Sequence, residues 1–382
     1  ENQLFALSFM KVKKNAIVCV SNDLITDNRV AKTCLVLESL DYKVVLIGRR
    51  KKNSPQMPSR TYEVRRMKLW FETGPLFYFF LNLRLLFFLL FRKASLIYAN
   101  DLDTLPACFS AYLLKPKAKI IYDTHELFTE VSELKNSSVK RRIWLTIEKW
   151  IFPKLKTVIT VNESIADIYN EKYKVPVHVV RNIPPLHERS SNVSKTSLQL
   201  KEEDFVLIIQ GSGLNQDRGI EESILAMKHT ENCKLLIVGD GDILPKAKEL
   251  VETNHLSASV IFISRRPYQE LMKITQTADL GLLMDKAVNM NHELALPNKL
   301  FDYMHAGTPI LSNRLKEIEK FISKHNIGII HDEITPTEIA KKIMSLKNNP
   351  ELIKNLSNNC LQAAKKENWD IEKIKLINAI KA

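Results

Sequence analysis

The chain has 382 residues, 45% of them hydrophobic and 26% charged, with a net charge of +13 and only ten glycines. Its length fits about two domains, and its composition excludes disorder over any large part. The charge favours anionic partners such as nucleotide phosphates, acidic membrane or nucleic acid, although the basic residues are scattered and a lysine-rich solvated surface gives the same total.

From the N-terminus, "ENQLFALSFMKVKKNAIVCV" lacks the charged-then-apolar order of a signal peptide. Short apolar runs then recur at 16–20, 43–48, 95–100, 119–123, 157–161 and 177–180, separated by helical patterns such as "NRVAKTCLVLESLDY". Wholly apolar strands alternating with helices predict a parallel sheet covered on both faces. In "NDLITDNRVAK", Asp27 or Asn28 can cap the first helix and Arg29 can reach a ligand cleft. Residues 74–91, "GPLFYFFLNLRLLFFLLF", are long enough to tempt a membrane-spanning assignment. Asn82 and Arg84 at the centre argue instead for a core-and-surface helix with peripheral membrane contact as the alternative. In "NDLDTLPA", Asp101 and Asp103 read as turn and cap residues, and "IIYDTHELFTEV" places Asp123, His125 and Glu126 at the end of a strand.

Residues 181–204 are rich in Pro, Ser and charge and read as an interdomain linker and hinge. The alternation restarts with runs at 205–211, 233–241, 259–263, 278–284, 308–312 and 327–331. Two doubly wound α/β halves follow, and ligands in such folds collect at the C-terminal ends of the strands. A cleft between the halves is then the expected site.

Three segments of the second half fit an anionic ligand. "IIQGSGLNQDRGIEESILAM" passes from a strand through Gly211, Ser212 and Gly213 to Arg218 and a helix opening near Gly219. Glycines admit a phosphate close to backbone N–H groups, and arginine adds a fixed two-pronged donor. The spacing matches neither GxGxxG nor a P-loop. In "SRRPYQELMKITQTADLGLL", Arg265 and Arg266 are candidates for contact with phosphate or base. In "ELALPNKLFDYMHAGTPILS", Pro297 suits a first helical turn, Lys299 can pair with a diphosphate, and Asp302 lies three residues on, where a carboxylate can accept ribose hydroxyls. Asn298 belongs to the same candidate ligand-binding stretch.

The five cysteines, Cys19, Cys34, Cys108, Cys233 and Cys360, show neither CxxC nor Cys/His ligand spacing. Neither zinc nor a disulfide framework is expected, and a reducing, cytoplasmic location fits. No interleaving of aromatic and basic residues marks a nucleic-acid module.

Together, "GSGLNQDRGIEESILAM", "LLIVGDGD", "RRPYQELMKITQTADLGLL" and "LPNKLFDYMHAGTPIL" resemble the donor domain of retaining family-4 glycosyltransferases. "DNRVAKTCLVLESL", "ANDLDTLPA" and "IYDTHELFTE" resemble their acceptor domain. The resemblance implies the GT-B fold, two Rossmann-like domains facing a cleft, here an acceptor domain over 1–185 and a donor domain over 186–365. It implies a helix over 366–382 that crosses back to the first domain. Arg218 takes the place of the basic residue that binds the donor diphosphate, His125 that of the histidine contacting the donor sugar, and Asp302 that of the second acid of an E-x7-E pattern. Arg218, Lys299 and His125 are thus the candidate catalytic residues, and Arg29 and Glu126 the candidate acceptor contacts.

Three departures stand out. The first acid of the pattern falls on Leu294, with Glu293 one residue off register. Gly213 stands where many members have arginine, a charge Lys299 can supply, and Asp302 is a methylene shorter than glutamate. The implied reaction moves a sugar from a UDP- or GDP-sugar to a glycan or lipid-linked acceptor in surface polysaccharide synthesis. No metal and no cofactor beyond the donor are expected, because protein cations can take the leaving-group charge. The alternatives are a non-catalytic relative that binds a sugar nucleotide or partner enzyme, and a sugar-nucleotide epimerase.

Overall fold

The computed structural model describes residues 14–25, 27–131, 134, 137–186 and 194–382. Residues 1–13 of the N-terminal stretch and 187–193 of the expected linker lie outside that set. The chain divides into two compact units, one running to Val180 and completed by Lys373–Ala382, the other spanning Arg181–Glu372.

In the first unit the strands are β1 (Lys14–Cys19), β2 (Tyr42–Arg50), β3 (Glu63–Lys68), β4 (Leu96–Asn100), β5 (Lys119–Asp123), β6 (Val158–Thr160) and β7 (Val177–Val179). They pair in the order β3-β2-β1-β4-β5-β6-β7, all in parallel. The helices are α1 (Asn28–Ser39), α2 (Gly74–Leu90), α3 (Leu105–Leu113), α4 (Ser138–Ile151) and α5 (Glu163–Tyr173). Asp27 caps α1 by accepting from the Val30 N–H, as its place before the apolar period predicts. The edge strand β3 was not foreseen. "EVRRMK" carries no apolar run because an edge strand is half solvated, and its charges protect the open edge. Among the described residues no helix is long and apolar enough to cross a membrane. Within α2, Phe77, Leu81, Leu85 and Leu89 form the buried face.

The second unit repeats the plan with β8 (Phe205–Gly211), β9 (Cys233–Gly239), β10 (Val260–Ser264), β11 (Leu280–Leu283), β12 (Ile310–Asn313) and β13 (Gly328–His331). Their order is β10-β9-β8-β11-β12-β13, again parallel. The helices are α6 (Ile220–Ala226), α7 (Leu244–Thr253), α8 (Tyr268–Thr275), α9 (Met290–Glu293), α10 (Asn298–Ala306), α11 (Lys316–His325), α12 (Pro336–Lys347) and α13 (Pro350–Lys366). A last helix, α14 (Trp369–Lys381), follows.

Side-chain alternation explains how both faces of this sheet are covered. Leu207, Ile209, Leu235 and Ile237 pack with Ile220, Ile224, Val251 and Ile343 on one side. Val206, Ile208, Leu236 and Val238 pack with Leu300, Met304, Ile318 and Cys360 on the other. Both faces of such a strand are buried along most of its length, hence the long apolar runs. The start of the expected linker is not loose chain. Arg181 and Ile183 are buried, Arg181 pairs with Glu367 at 3.1 Å, and its N–H donates to Glu372 at 2.9 Å.

Strand order reverses between β8 and β11 in the second sheet and between β1 and β4 in the first. Parallel loops leave in opposite directions there and open a crevice at the carboxyl ends. These two places hold the candidate residues.

Candidate functional site

In the second unit β8 ends at Gly211, beside the end of β11. Two backbone loops meet there. The Leu214 N–H donates to Asp240 O at 2.9 Å, and the Ile243 N–H donates to Leu214 O at 3.2 Å. The approach is close enough that a Cβ on Gly239, whose φ is +138°, would stand 1.8 Å from Gly211 O. Ser212 and Gly213 are exposed, and a Cβ on Gly213 would have only the Asn215 amide nearby, at 3.8 Å. This turn has an open side.

The next loop is pinned to the end of β11. Gly219 adopts φ +66°, and a Cβ there would fall 2.2 Å from Met284 O. The Lys286 N–H donates to Asp217 O at 2.8 Å. These contacts carry Arg218 to Asp285, with Nη1 3.3 Å from Oδ1. From α10, Lys299 reaches the same carboxylate, its Nζ 3.2 Å from both oxygens. Asp285 is buried, and the Asn313 amide fixes its backbone by donating to Asp285 O at 2.7 Å. Two cations thus share one buried carboxylate, and the trio keeps a net positive charge. Asp285 was missing from the sequence reading. Its signal was available, an acid directly after an apolar strand, the same signal that singled out Asp123.

Asp302, on α10, is held by two neighbours. The Tyr268 hydroxyl donates to Oδ1 at 2.9 Å and the Gln210 amide donates to Oδ2 at 3.2 Å. Gln210 is itself fixed, its Oε1 accepting from Thr275 Oγ1 at 2.6 Å. Burial, then the Asp302 charge, push the Tyr268 phenol well above its usual range, so it stays a donor. Pro297 lies one residue outside the first turn of α10, as its cap, and Asn298 begins the helix and accepts from the Asn182 amide at 3.2 Å.

Other candidates lie elsewhere. Arg265 and Arg266 are exposed just after the edge strand β10. Glu293 ends the single turn α9 exposed, while Leu294 is buried.

In the first unit the candidates gather at the ends of β4 and β5. Arg29 does not reach outward. It is buried, with Nη2 2.6 Å and Nε 3.2 Å from the two oxygens of Asp123, and Nη1 donates to Val180 O at 2.7 Å. Tyr98 adds a hydroxyl to Asp123 at 2.8 Å. Burial opposes the charge on Asp123, but Arg29 and His125 more than offset it and hold the carboxyl well below its usual range. An arginine whose donors are spent in this way braces the fold and has few left for an acceptor.

His125 is held by Asp101. Its N–H donates to Oδ1 at 3.0 Å, and Nδ1 lies 3.2 Å from Oδ2. Nε2 stands 3.8 Å from Asp123. Burial disfavours the imidazolium, but the Asp101 and Asp123 carboxylates reverse the balance and keep His125 charged well above its ordinary pKa. Asp101, read as a turn residue, does sit in a left-handed turn at φ +58° and also orients the histidine. Asp103 is buried, and burial together with Asp101 pushes its carboxyl up to about 7. Glu126 is half-buried, and its carbonyl accepts from Thr124 Oγ1 at 2.7 Å. Among the described residues no three His, Cys, Asp or Glu side chains gather as a metal site.

Two families match the chain: the Glycosyltransferase Family 4 domain over residues 28–185 and the glycosyl transferases group 1 domain over residues 191–366. A chitobiosyldiphosphodolichol beta-mannosyltransferase of Candida albicans is 21% identical over 310 residues, covering 73% of this chain and 67% of its own length. An uncharacterized glycosyltransferase of Methanocaldococcus jannaschii is 23% identical over 154 residues, covering 40% of this chain and 41% of its own. Among solved structures, sucrose-phosphate synthase from Thermosynechococcus elongatus superposes with a TM-score of 0.78 at 15% identity, over 96% of this chain and 98% of that one. The Anabaena protein HepE in complex with UDP-glucose gives 0.72 at 13% identity, over 96% and 99%. WaaG, a glycosyltransferase involved in lipopolysaccharide biosynthesis, gives 0.71 at 14%, over 96% and 99%. The fold these structures share is GT-B.

Proposed function

Since this chain belongs to the GT4-type glycosyltransferases of the GT-B fold, we propose that it moves a sugar from UDP or GDP to a glycan or lipid-linked acceptor, with retention of configuration. The observation that carries this reading is the meeting of Arg218 and Lys299 on Asp285 at the reversal point of the second sheet. A departing nucleoside diphosphate gains negative charge as its glycosidic bond breaks. Preorganised cations meet that charge with little reorganisation. Asp285 holds both side chains ready, and a diphosphate with more negative charge than one carboxylate can compete for them.

In this reading Lys299 replaces the charge missing at Gly213, and no metal ion is required. The open turn at Ser212 and Gly213 offers backbone N–H groups to phosphate. Asp302 takes the ribose hydroxyls, and Gln210 and Tyr268 fix its carboxylate for them. The Anabaena relative's complex with UDP-glucose supports a nucleotide-sugar partner. His125, charged at neutral pH, serves as a hydrogen-bond donor to the sugar, since a general base must be unprotonated. The leaving phosphate then receives the acceptor's proton. A lipid-linked acceptor of surface polysaccharide synthesis would bring the enzyme to the cytoplasmic face of a membrane. The five unpaired, buried cysteines fit a reducing compartment.

The test is turnover of UDP-, GDP- and ADP-sugars by the pure protein, with the anomer of the first product followed by proton NMR. One donor hydrolysed slowly with its configuration kept is the expected result. Inverted product refutes retention. Tight nucleoside diphosphate binding without any turnover favours the non-catalytic alternative, which the buried Leu294 in place of an acid supports.

A further inference from the structure

The first unit carries a basic and apolar face with no part in the chemistry above. Between positions 49 and 93 the chain has eleven Lys and Arg against two Glu, nine of its thirteen net positive charges. The same stretch contains the edge strand β3 and the helix α2.

That helix is apolar on two sides. Its buried face recurs every four residues from Phe77 to Leu89. Leu76, Phe79, Leu83 and Phe87, with Phe91 just beyond the last turn, recur every three or four residues along the opposite side. These five are between 37% and 84% exposed, and Trp70, just before the helix, is 82% exposed with its ring 5.1 Å from that of Phe80. Single exposed apolar residues are ordinary, but a continuous stripe with an aromatic at each end marks a contact surface.

An open cavity of about 440 Å³ adjoins the helix, lined by Arg50, Arg65, Arg66, Lys68, Arg84 and Phe88 among others. Glu63 takes Arg65 at 2.6 Å and Arg92 at 3.7 Å. Arg66 and Arg84 donate to the carbonyls of Pro55 and Lys68, and among the described residues neither forms an ion pair.

We propose that this face docks on an anionic lipid bilayer, with the stripe from Leu76 to Phe91 in the acyl boundary and the arginine-lined cavity over lipid phosphates. Charge complementarity selects this occupant. A second copy would bring two strongly positive faces together, and a nucleic acid would leave the apolar stripe in water. A helix lying in the interface satisfies both halves of the face. The inference deepens the membrane contact just proposed. Lipid binding alone reads it, so it can fail while the transferase reading stands.

The experiment is flotation of the full chain with phosphatidylcholine vesicles and with vesicles in which a third of the lipid is phosphatidylglycerol. The expected result is recovery with the anionic vesicles at least about tenfold above the neutral ones, weakening in high salt. Arg65→Gln/Arg66→Gln lowers it about fivefold per charge removed. Phe79→Ser/Phe87→Ser abolishes it while the circular dichroism melt and nucleotide binding are kept. Three results overturn the proposal: no flotation with either vesicle, equal flotation by the Phe79→Ser/Phe87→Ser variant, or a gel-filtration dimer that this variant dissolves. The last would give the face to a second copy.

Discussion

Replacing Asp103 by Asn tests the electrostatics of the histidine cluster. Asp103 is only 6% exposed, and one of its carboxylate oxygens lacks a hydrogen-bond partner among the described residues. Burial, then the neighbouring Asp101 charge, raise its carboxyl to about 7. An aspartate in the unfolded chain titrates near 3.9, so the shift is about 3 units at about 1.4 kcal/mol each. Because the folded value is the raised one, the folded chain keeps a proton that the unfolded chain has lost between those two values. This contribution is complete below about pH 4 and is lost as pH rises through 7, a fall of about 4 kcal/mol. Asn carries no proton to lose. The stability of wild type minus that of Asp103→Asn should therefore fall by about 1.4 kcal/mol per unit between pH 4 and 7 and level off above. Urea denaturation followed by tryptophan fluorescence reads it, since Trp70, Trp144 and Trp150 all precede Val180. A difference that stays flat across this window would show that Asp103 is ionised when folded, with the His125 charge outweighing burial.

Two further substitutions separate brace from site. Arg29→Met leaves the Asp123 carboxylate buried and without its guanidinium, which should cost about 3–5 kcal/mol in urea denaturation, most of it recovered in Arg29→Met/Asp123→Leu. Because the Asp123 carboxyl is depressed in the folded chain, its contribution is present above the ordinary carboxylate range and is lost as pH falls through that range toward its folded value. Gly219→Ala places a methyl 2.2 Å from Met284 O at a positive φ and should cost about 1–3 kcal/mol in urea denaturation. It should also weaken, in calorimetry, binding of whichever of UDP and GDP the wild type takes, because the displaced loop carries Arg218.

Much of the fold was written in the apolar runs. β5 and β8 coincide with "KIIYD" and "FVLIIQG", because strands covered on both faces admit almost nothing polar. β3 escaped because solvent covers one edge and the charge of "EVRRMK" hides its pairing with β2. The site was legible where local grammar sets it. Gly219 just after Arg218 and Pro297 just before Lys299 both mark helix entries, and both cations arrive at the end of β11. The partners were not legible. Asp285 lies 67 positions from Arg218, and Tyr268 lies 34 from Asp302, so only the folded sheet brings them together. Arg29 shows the opposite failure. A helix-capping segment after a strand suits a ligand contact as well as a brace, and only the 2.6 Å contact with Asp123 identifies the brace.

Isothermal calorimetry of UDP and GDP, each beside its nucleoside, on wild type and Lys299→Met, tests most directly whether the second unit grips a pyrophosphate with its paired cations. One diphosphate should bind far more tightly than its nucleoside. Lys299→Met should lower that affinity about 10- to 100-fold and leave nucleoside binding unchanged. Equal affinity for diphosphate and nucleoside, or a variant that binds as wild type does, would contradict the account.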